Sequence, residues 1–260
     1  MFRLNSQRWA GVCFLKIRLD KLLVERGLAP SPQQAQAFIL AGRVLVDEQK
    51  VLTAGAAIRQ DVSLRLLGEE AKYVSRGGLK LEKALEHWRI DVREKTCLDV
   101  GASTGGFTDC LLQHGAARVI AVDTGYGQID YRLRNDPRVR LLENTNARYL
   151  TQEQLGERAD FIAMDVSFIS ATVVLPAVIK AAFGDSGVGR PIVILVKPQF
   201  EVDRGYVEKG GIVRNIEAQN ASVEKVRNSL LALHCEKTDV TESPILGAEG
   251  NREFLLYGFF

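Results

Sequence analysis

From Thr96 onward, short apolar runs alternate with glycine turns and amphipathic stretches. Residues 97–100, 119–122, 139–142, 161–164 and 191–196 read as five strands, the last of them the almost wholly apolar Pro-Ile-Val-Ile-Leu-Val. Such runs suit strands buried on both faces of a parallel sheet. Segments 107–113, 172–182 and 217–234 place apolar residues at helical spacing. Two further strands, 237–244 and 253–260, are separated by a Gly-Asn loop and close the pattern as a hairpin. Strand, glycine turn and helix in repetition predict an α/β fold with a doubly wound sheet. Just ahead of it, Leu81, Ala84, Leu85 and Trp88 mark the buried face of another helix, which leaves Lys80, Lys83 and His87 on the other side.

The first part of the chain has a different rhythm. Leu19, Leu22 and Leu23 mark a short helix stopped by Gly27. Ser31 caps a second helix, with Pro32 at its first position and Gly42 just past its end, the arrangement that orphaned helix-end groups favour. Short extended stretches follow at 43–46, 50–52 and 58–66. The pattern divides the chain into an extension over residues 1–15, a small α+β domain over 16–75 and a larger domain over 76–260.

Composition refines this picture only slightly. With 260 residues, 46% hydrophobic and 25% charged, the chain can fill one or two ordinary cores. The net charge of +2 is nearly balanced, and the local basic excess lies between Lys16 and Lys80. Cys13, Cys97, Cys110 and Cys235 form no C-x-x-C pair, so neither a metal site nor a disulfide framework is expected. Cys97 and Cys110 sit in apolar stretches and read as core. No run approaches the roughly 20 apolar residues of a membrane helix. The first fifteen residues make a poor secretory segment, so a cytoplasmic protein without a membrane partner is expected.

Four segments carry candidate chemistry. In Asp99-Val100-Gly101-Ala102-Ser103-Thr104-Gly105-Gly106-Phe107, a glycine turn joins the first strand to a helix. Such a turn lets a cofactor approach the backbone closely. The spacing is G-x-x-x-G-G rather than G-x-G-x-x-G, which disfavours a nicotinamide dinucleotide. A cofactor without phosphate, S-adenosylmethionine, could set its amino-acid tail against the loop amides and Asp99. Asp123 ends the second strand, where an acid can accept from both hydroxyls of a ribose. Asn146 follows the third strand, as an adenine contact or as a turn former. Asp165 and Lys197 end the fourth and fifth strands and so face the crevice where ligands bind in such sheets. Desolvation favours the neutral amine that a lysine base needs.

These segments are also recognisable as a set. SRGGLKLEKAL, LDVGASTGGFTDCLL, AVDTGYGQ, NTNAR, DVSFIS, LVKPQFE, GGIVRN and GNREFLL closely resemble the TlyA family of ribosomal RNA 2'-O-methyltransferases, a branch of the FtsJ-like class often labelled haemolysins. The stretch RLDKLLVERGLAPSPQQAQAFILAGRVLVDEQKV resembles the alpha-L RNA-binding module named after a small-subunit ribosomal protein. The resemblance implies the Rossmann-like sheet of S-adenosylmethionine-dependent methyltransferases, with its last strand inserted antiparallel, behind a small RNA-binding domain. It implies a catalytic tetrad of Lys80, Asp165, Lys197 and Glu253, with Lys83 the competing first lysine, and an aromatic near the cofactor at Phe168. In this reading Lys197 is the base, Asp165 and Glu253 orient it, and Lys80 raises the local positive potential. Arg18, Lys21, Arg26, Gln33, Gln34 and Arg43, with Arg76 at the junction, become RNA contacts. The implied partners are ribosomal RNA and ribosomal subunits, and the target a cytidine ribose. The alternatives are a ribosome-binding protein with an inactive methyltransferase domain, a membrane-lytic haemolysin and a nucleotide-dependent oxidoreductase. The sequence leaves the oligomeric state open.

Overall fold

The computed structural model describes residues 16–67, 72–184, 189–247 and 250–260. The expected extension over 1–15, with Cys13, lies outside them. The chain divides into two compact units, and the second begins at Lys72. That is four residues before the expected boundary, because Tyr73 is buried in the second unit's core with Leu81, Phe107 and Leu111.

The first unit runs β1 (Lys16–Arg18), α1 (Leu19–Glu25), α2 (Pro32–Leu40), β2 (Val44–Val46), β3 (Gln49–Lys50), β4 (Ala57–Arg59) and β5 (Leu64–Leu66). The Ser31 hydroxyl accepts from Gln34 N and caps α2 as expected. Gly27 and Gly42 take left-handed φ of 68° and 67° just past the two helices, a conformation that glycine adopts without steric cost. Leu19, Leu23, Ala35, Ile39 and Val44 form a small core. The strands make a β1–β4 ribbon and a β3–β2–β5 sheet.

The second unit contains α3 (Gly77–His87), β6 (Thr96–Val100), α4 (Gly106–Gln113), β7 (Arg118–Val122), α5 (Tyr131–Arg134), β8 (Val139–Leu142), α6 (Gln152–Leu155), β9 (Phe161–Met164), α7 (Ala171–Phe183), β10 (Pro191–Val196), α8 (Pro198–Glu201), α9 (Ile216–Ala232), β11 (Lys237–Glu242) and β12 (Phe254–Phe259). The sheet order is β11-β12-β10-β9-β6-β7-β8. The five strands from β6 to β10 are parallel, and β12 inserts antiparallel between β10 and β11.

Alternation along the strands divides the core. Leu98, Ile162 and Ile194 pack on one face with α7 and α9 residues such as Val178 and Val226. Cys97, Phe161 and Val193 pack on the other with Leu81 of α3 and Leu111 of α4. Truncating such a fully buried side chain to alanine costs about 2–5 kcal/mol, so the sheet is a rigid base for the loops at its carboxyl edge. The helices α5, α6 and α8 were not expected; four residues are too few to show a helical period.

One expectation about a face needs correcting. Lys80 is not on the solvent side of α3; it is 9% exposed. It shares a helical stripe with Ala84, four residues on, and its buried ammonium has a carboxylate partner.

Candidate active site

Parallel pairing aligns the carboxyl ends of β6, β7, β9 and β10, so their following loops border one crevice. Gly101 turns the chain out of β6 with φ of 88°. A Cβ there would collide with the Asp165 backbone carbonyl. Gly105 has φ of 96°, and a Cβ on it would collide with Leu133. Both glycines are therefore required by the protein's own atoms, before any ligand enters.

The crevice has two lobes that share Gly101, Ser103 and Asp165. The first, about 270 Å³, is bounded by Asp123, Asn146, Ser167 and Phe168. The second, about 250 Å³, is bounded by Arg76, Lys80, Ala102, Thr104, Gly106, Phe107 and the 245–247 loop. In the first lobe Asp123 already accepts from Ser103 N at 2.8 Å and Gly125 N at 2.6 Å. A carboxylate has about four acceptor sites, so capacity remains for a ribose diol. Asn146 accepts from Arg148 N at 3.0 Å and caps a short turn, while also lining the lobe. Phe168 is 92% exposed with φ of 64°, and its ring lies 5.3 Å from that of Phe200. A bulky residue held left-handed and largely exposed is a costly arrangement of the kind that gathers at ligand sites. Asp99 stands behind the loop rather than on the crevice wall. It is fully buried, and its Oδ2 accepts from Thr108 Oγ1 at 2.6 Å. Burial, opposed by that hydrogen bond and reinforced by Asp165 and Asp123, pushes its carboxyl up to about 7.

The four residues that the resemblance matches to a tetrad form two ion pairs. Lys197 Nζ lies 2.6 Å from Asp165 Oδ1, and Lys80 Nζ lies 2.5 Å from Glu253 Oε2. Side-chain exposure is 11% for each lysine, 20% for Asp165 and 2% for Glu253. The β10–β12 register pairs Val196 with Phe254, which sets Lys197 beside Glu253 one step past the ladder. Lys80 and Asp165 line the same lobe. Glu253 thus holds Lys80, whereas the sequence suggested that it orients Lys197. Lys83 makes no ion pair among the described residues, so Lys80 is the lysine that the geometry joins to Glu253.

Several supporting residues were not singled out from the sequence. Ser167 Oγ accepts from Lys197 Nζ at 2.7 Å. The buried Glu201 accepts from Ala171 N at 2.7 Å and Ser170 Oγ at 2.5 Å, which fixes the end of the 165–170 loop. Asn251 accepts from Val213 N at 3.0 Å and donates to Gly211 O at 2.8 Å, tying two loops together beside Glu253. A Cβ on Gly247 would overlap the Glu253 carboxylate. Ser167, Glu201 and Asn251 lie in the segments DVSFIS, LVKPQFE and GNREFLL, and that was their one signal.

The FtsJ-like methyltransferase family matches residues 73–260, and the S4 domain matches residues 17–61. The chain is 46% identical to the 16S/23S rRNA (cytidine-2'-O)-methyltransferase TlyA of Mycobacterium tuberculosis, over 93% of this chain and 89% of that protein. This chain belongs to the FtsJ-like methyltransferase family, in its TlyA branch. It is also 41% identical to Hemolysin A of Brachyspira hyodysenteriae, over 93% of this chain and 99% of that one. A hemolysin-named structure from Streptococcus thermophilus superposes with a TM-score of 0.68 at 39% identity, covering 95% of this chain and 89% of its own.

Within the S4 unit the expected RNA contacts fall into two groups. Arg18 pairs with Asp20 at 2.6 Å, Arg26 donates to Val62 O at 2.7 Å, and Arg43 stacks on Phe38 at 4.6 Å. These three brace the module. Lys21, Gln33 and Gln34 are exposed, and the Lys21 ammonium is in no ion pair among the described residues. Arg76 belongs to the other unit, where it lines the 250 Å³ lobe.

Proposed function

We propose that the protein methylates a ribose 2'-hydroxyl, on a cytidine of ribosomal RNA, with S-adenosylmethionine as the methyl donor. The observation that carries this reading is the pairing of Lys197 with Asp165 at 2.6 Å, in a crevice that also holds the Lys80–Glu253 pair. The crevice suits a cationic, phosphate-free cofactor: Asp123 and Asp165 line it, and the glycine loop lacks dinucleotide spacing. When bound, S-adenosylmethionine supplies an electrophilic methyl group on a sulfonium.

The chain's residues supply placement and proton transfer. Lys197 Nζ takes the proton of the attacking hydroxyl, and Asp165 fixes the amine's direction. Lys80, held by Glu253, contributes positive potential to the lobe it lines. Asp123 accepts from the cofactor's ribose, and the Gly101 turn admits its backbone-facing edge. A general base contributes on the order of 10²–10⁴-fold, and the rest must come from positioning. The S4 unit would dock the enzyme on folded RNA through exposed side chains such as Lys21.

The haemolysin name suggests membrane lysis instead. No helix among the described residues is long and apolar enough to cross a membrane. The deciding experiment incubates the purified protein with labelled S-adenosylmethionine and ribosomal subunits, then maps the modified nucleotide. Label found on a base, or none at all, would refute the reading.

A further inference from the structure

Lys197 faces Asp165 as an ammonium beside a carboxylate, 2.6 Å apart. An ammonium has no lone pair, so it must release a proton before it can accept one from a hydroxyl. Its second partner is the Ser167 hydroxyl, 2.7 Å away. The lysine side chain is nearly dry, at 11% exposure, whereas Ser167 is exposed. Among the described residues, the Ser167 hydroxyl makes no other hydrogen bond. It therefore stands between the amine and water.

The geometry points to Ser167 as a positioning residue for methyl transfer, one that fixes the Lys197 amine and carries its proton out to solvent. This rests on Lys197 being the base. Asp165 and Ser167 lie two residues apart on the loop after β9: the serine hydroxyl fixes one hydrogen-bond direction at Nζ, and the Asp165 carboxylate holds the ammonium by charge. Either contact alone would leave a flexible four-carbon stem free to swing.

The proton balance closes. A proton passes from Nζ to Ser167 Oγ while the serine's own hydroxyl proton passes to water. The serine remains a hydroxyl, Nζ gains its lone pair, and one proton enters solvent. When Nζ takes the 2'-hydroxyl proton it becomes an ammonium again, and the same exchange resets it. A hydroxyl can both accept and donate; an alanine methyl can do neither.

The test uses the full-length chain with ribosomal subunits and S-adenosylmethionine, comparing Ser167→Ala, Ser167→Thr, Lys197→Ala and the Ser167→Ala/Lys197→Ala double variant. Ser167→Ala should lower kcat about 10-fold with KM for both substrates within about twofold, and displace the limb of the pH–rate profile that reports the base. Ser167→Thr keeps the hydroxyl at an exposed position and should restore most of the rate. The double variant should be no slower than Lys197→Ala, since a residue that acts through Lys197 has nothing left to position. An unchanged kcat and pH profile in Ser167→Ala would overturn the proposal. So would a raised KM at full kcat, which would make Ser167 an RNA contact, or a double variant slower than Lys197→Ala. If Lys197→Ala itself turns over at the normal rate, the base assignment falls. If Lys197→Ala is inactive while Ser167→Ala is unaffected, the base stands and the serine's role does not.

Discussion

The Lys80 ammonium and the Glu253 carboxylate, 173 residues apart in the chain, meet at 2.5 Å with both side chains nearly dry. One comes from α3 and the other from the residue before β12, so the pair joins the sheet's closing strand to the helix in front of its first. Taking both charges out of water costs several kcal/mol, which their attraction offsets only while both are present. Lys80→Ala or Glu253→Ala should each lose about 3–5 kcal/mol by leaving its partner charge buried alone. The double variant should lose clearly less than the sum, as denaturant unfolding would show. Additive losses would mean that the two side chains are not coupled.

Gly247 tests the same pair from outside. A Cβ there would overlap the Glu253 carboxylate, so Gly247→Ala should displace Glu253 from Lys80. Methyl transfer should fall at least about 10-fold, while S-adenosylmethionine affinity should change little because Asp123 and the Gly101 turn are untouched. A fully active Gly247→Ala would show that the carboxylate tolerates displacement.

Cofactor binding is better tested at Asp123 than in the glycine loop. Substituting Gly105 strains a left-handed residue and drives a side chain into Leu133, so binding and folding would fail together. Asp123→Ala removes the acceptor for Ser103 N and Gly125 N and the one offered to a ribose. Losing charge-assisted hydrogen bonds of about 1.5–3 kcal/mol should weaken S-adenosylmethionine binding roughly 10- to 100-fold. Calorimetry that finds wild-type affinity would remove Asp123 from the cofactor site.

Asp99 predicts a pH dependence of stability. In the unfolded chain its carboxyl ionises near its ordinary 3.8, but in the folded protein only near 7. Between those values the unfolded state has lost a proton that the folded state keeps, so stability falls as pH rises, then levels off. Asp99→Asn can still accept from Thr108 and has no such titration. Its stability relative to wild type should therefore rise between pH 5 and pH 8, by an amount on the order of a few kcal/mol. Urea unfolding at the two pH values measures this, and a constant difference would contradict a neutral buried carboxyl.

Much of this architecture was legible in the sequence, for identifiable reasons. The Pro191–Val196 run is apolar at every position because β10 is covered on both faces, so one dimension of pattern sufficed. The burial of Lys80 was not legible. A lysine reads as a solvent residue by type, although its place one turn before Ala84 put it on the packed stripe; its partner comes from the far end of the chain. Ser167 and Gly247 leave even less local trace. A small hydroxyl and a glycine have no signature of their own, and what gives them meaning is an ammonium or a carboxylate brought close by the sheet. The insertion of β12 beside β10 came from the family resemblance, since two consecutive strands read equally well as an edge hairpin.

The S4 unit's contribution to RNA binding should be narrower than its basic count suggests. Arg18, Arg59 and Arg65 pair with Asp20, Asp61 and Glu48 inside the unit. Lys21 is exposed outside such pairs. Lys21→Ala should weaken RNA binding and reduce its salt dependence by about one counterion, whereas Arg65→Ala should change it less. Titrations over a range of salt concentrations would show this, and equal slopes for Lys21→Ala and wild type would exclude Lys21 as a phosphate contact.

The assignment of Lys197 as base divides binding from chemistry. Its ammonium pairs with Asp165 and donates to Ser167, and both partners belong to the β9–α7 loop, so removing it leaves the core intact. Lys197→Ala should keep its fold and its affinities for S-adenosylmethionine and RNA nearly unchanged. Turnover should fall by at least the roughly 10²-fold typical of losing a general base. Lys197→Arg is the discriminating variant. A guanidinium can pair with Asp165, but it does not give up a proton near neutral pH. An arginine that fails as badly as alanine supports proton transfer. An arginine that restores turnover, beside an alanine that mainly weakens RNA binding, would make Lys197 a phosphate clamp. The base would then have to be sought elsewhere in the crevice, with the fold and the family unaffected.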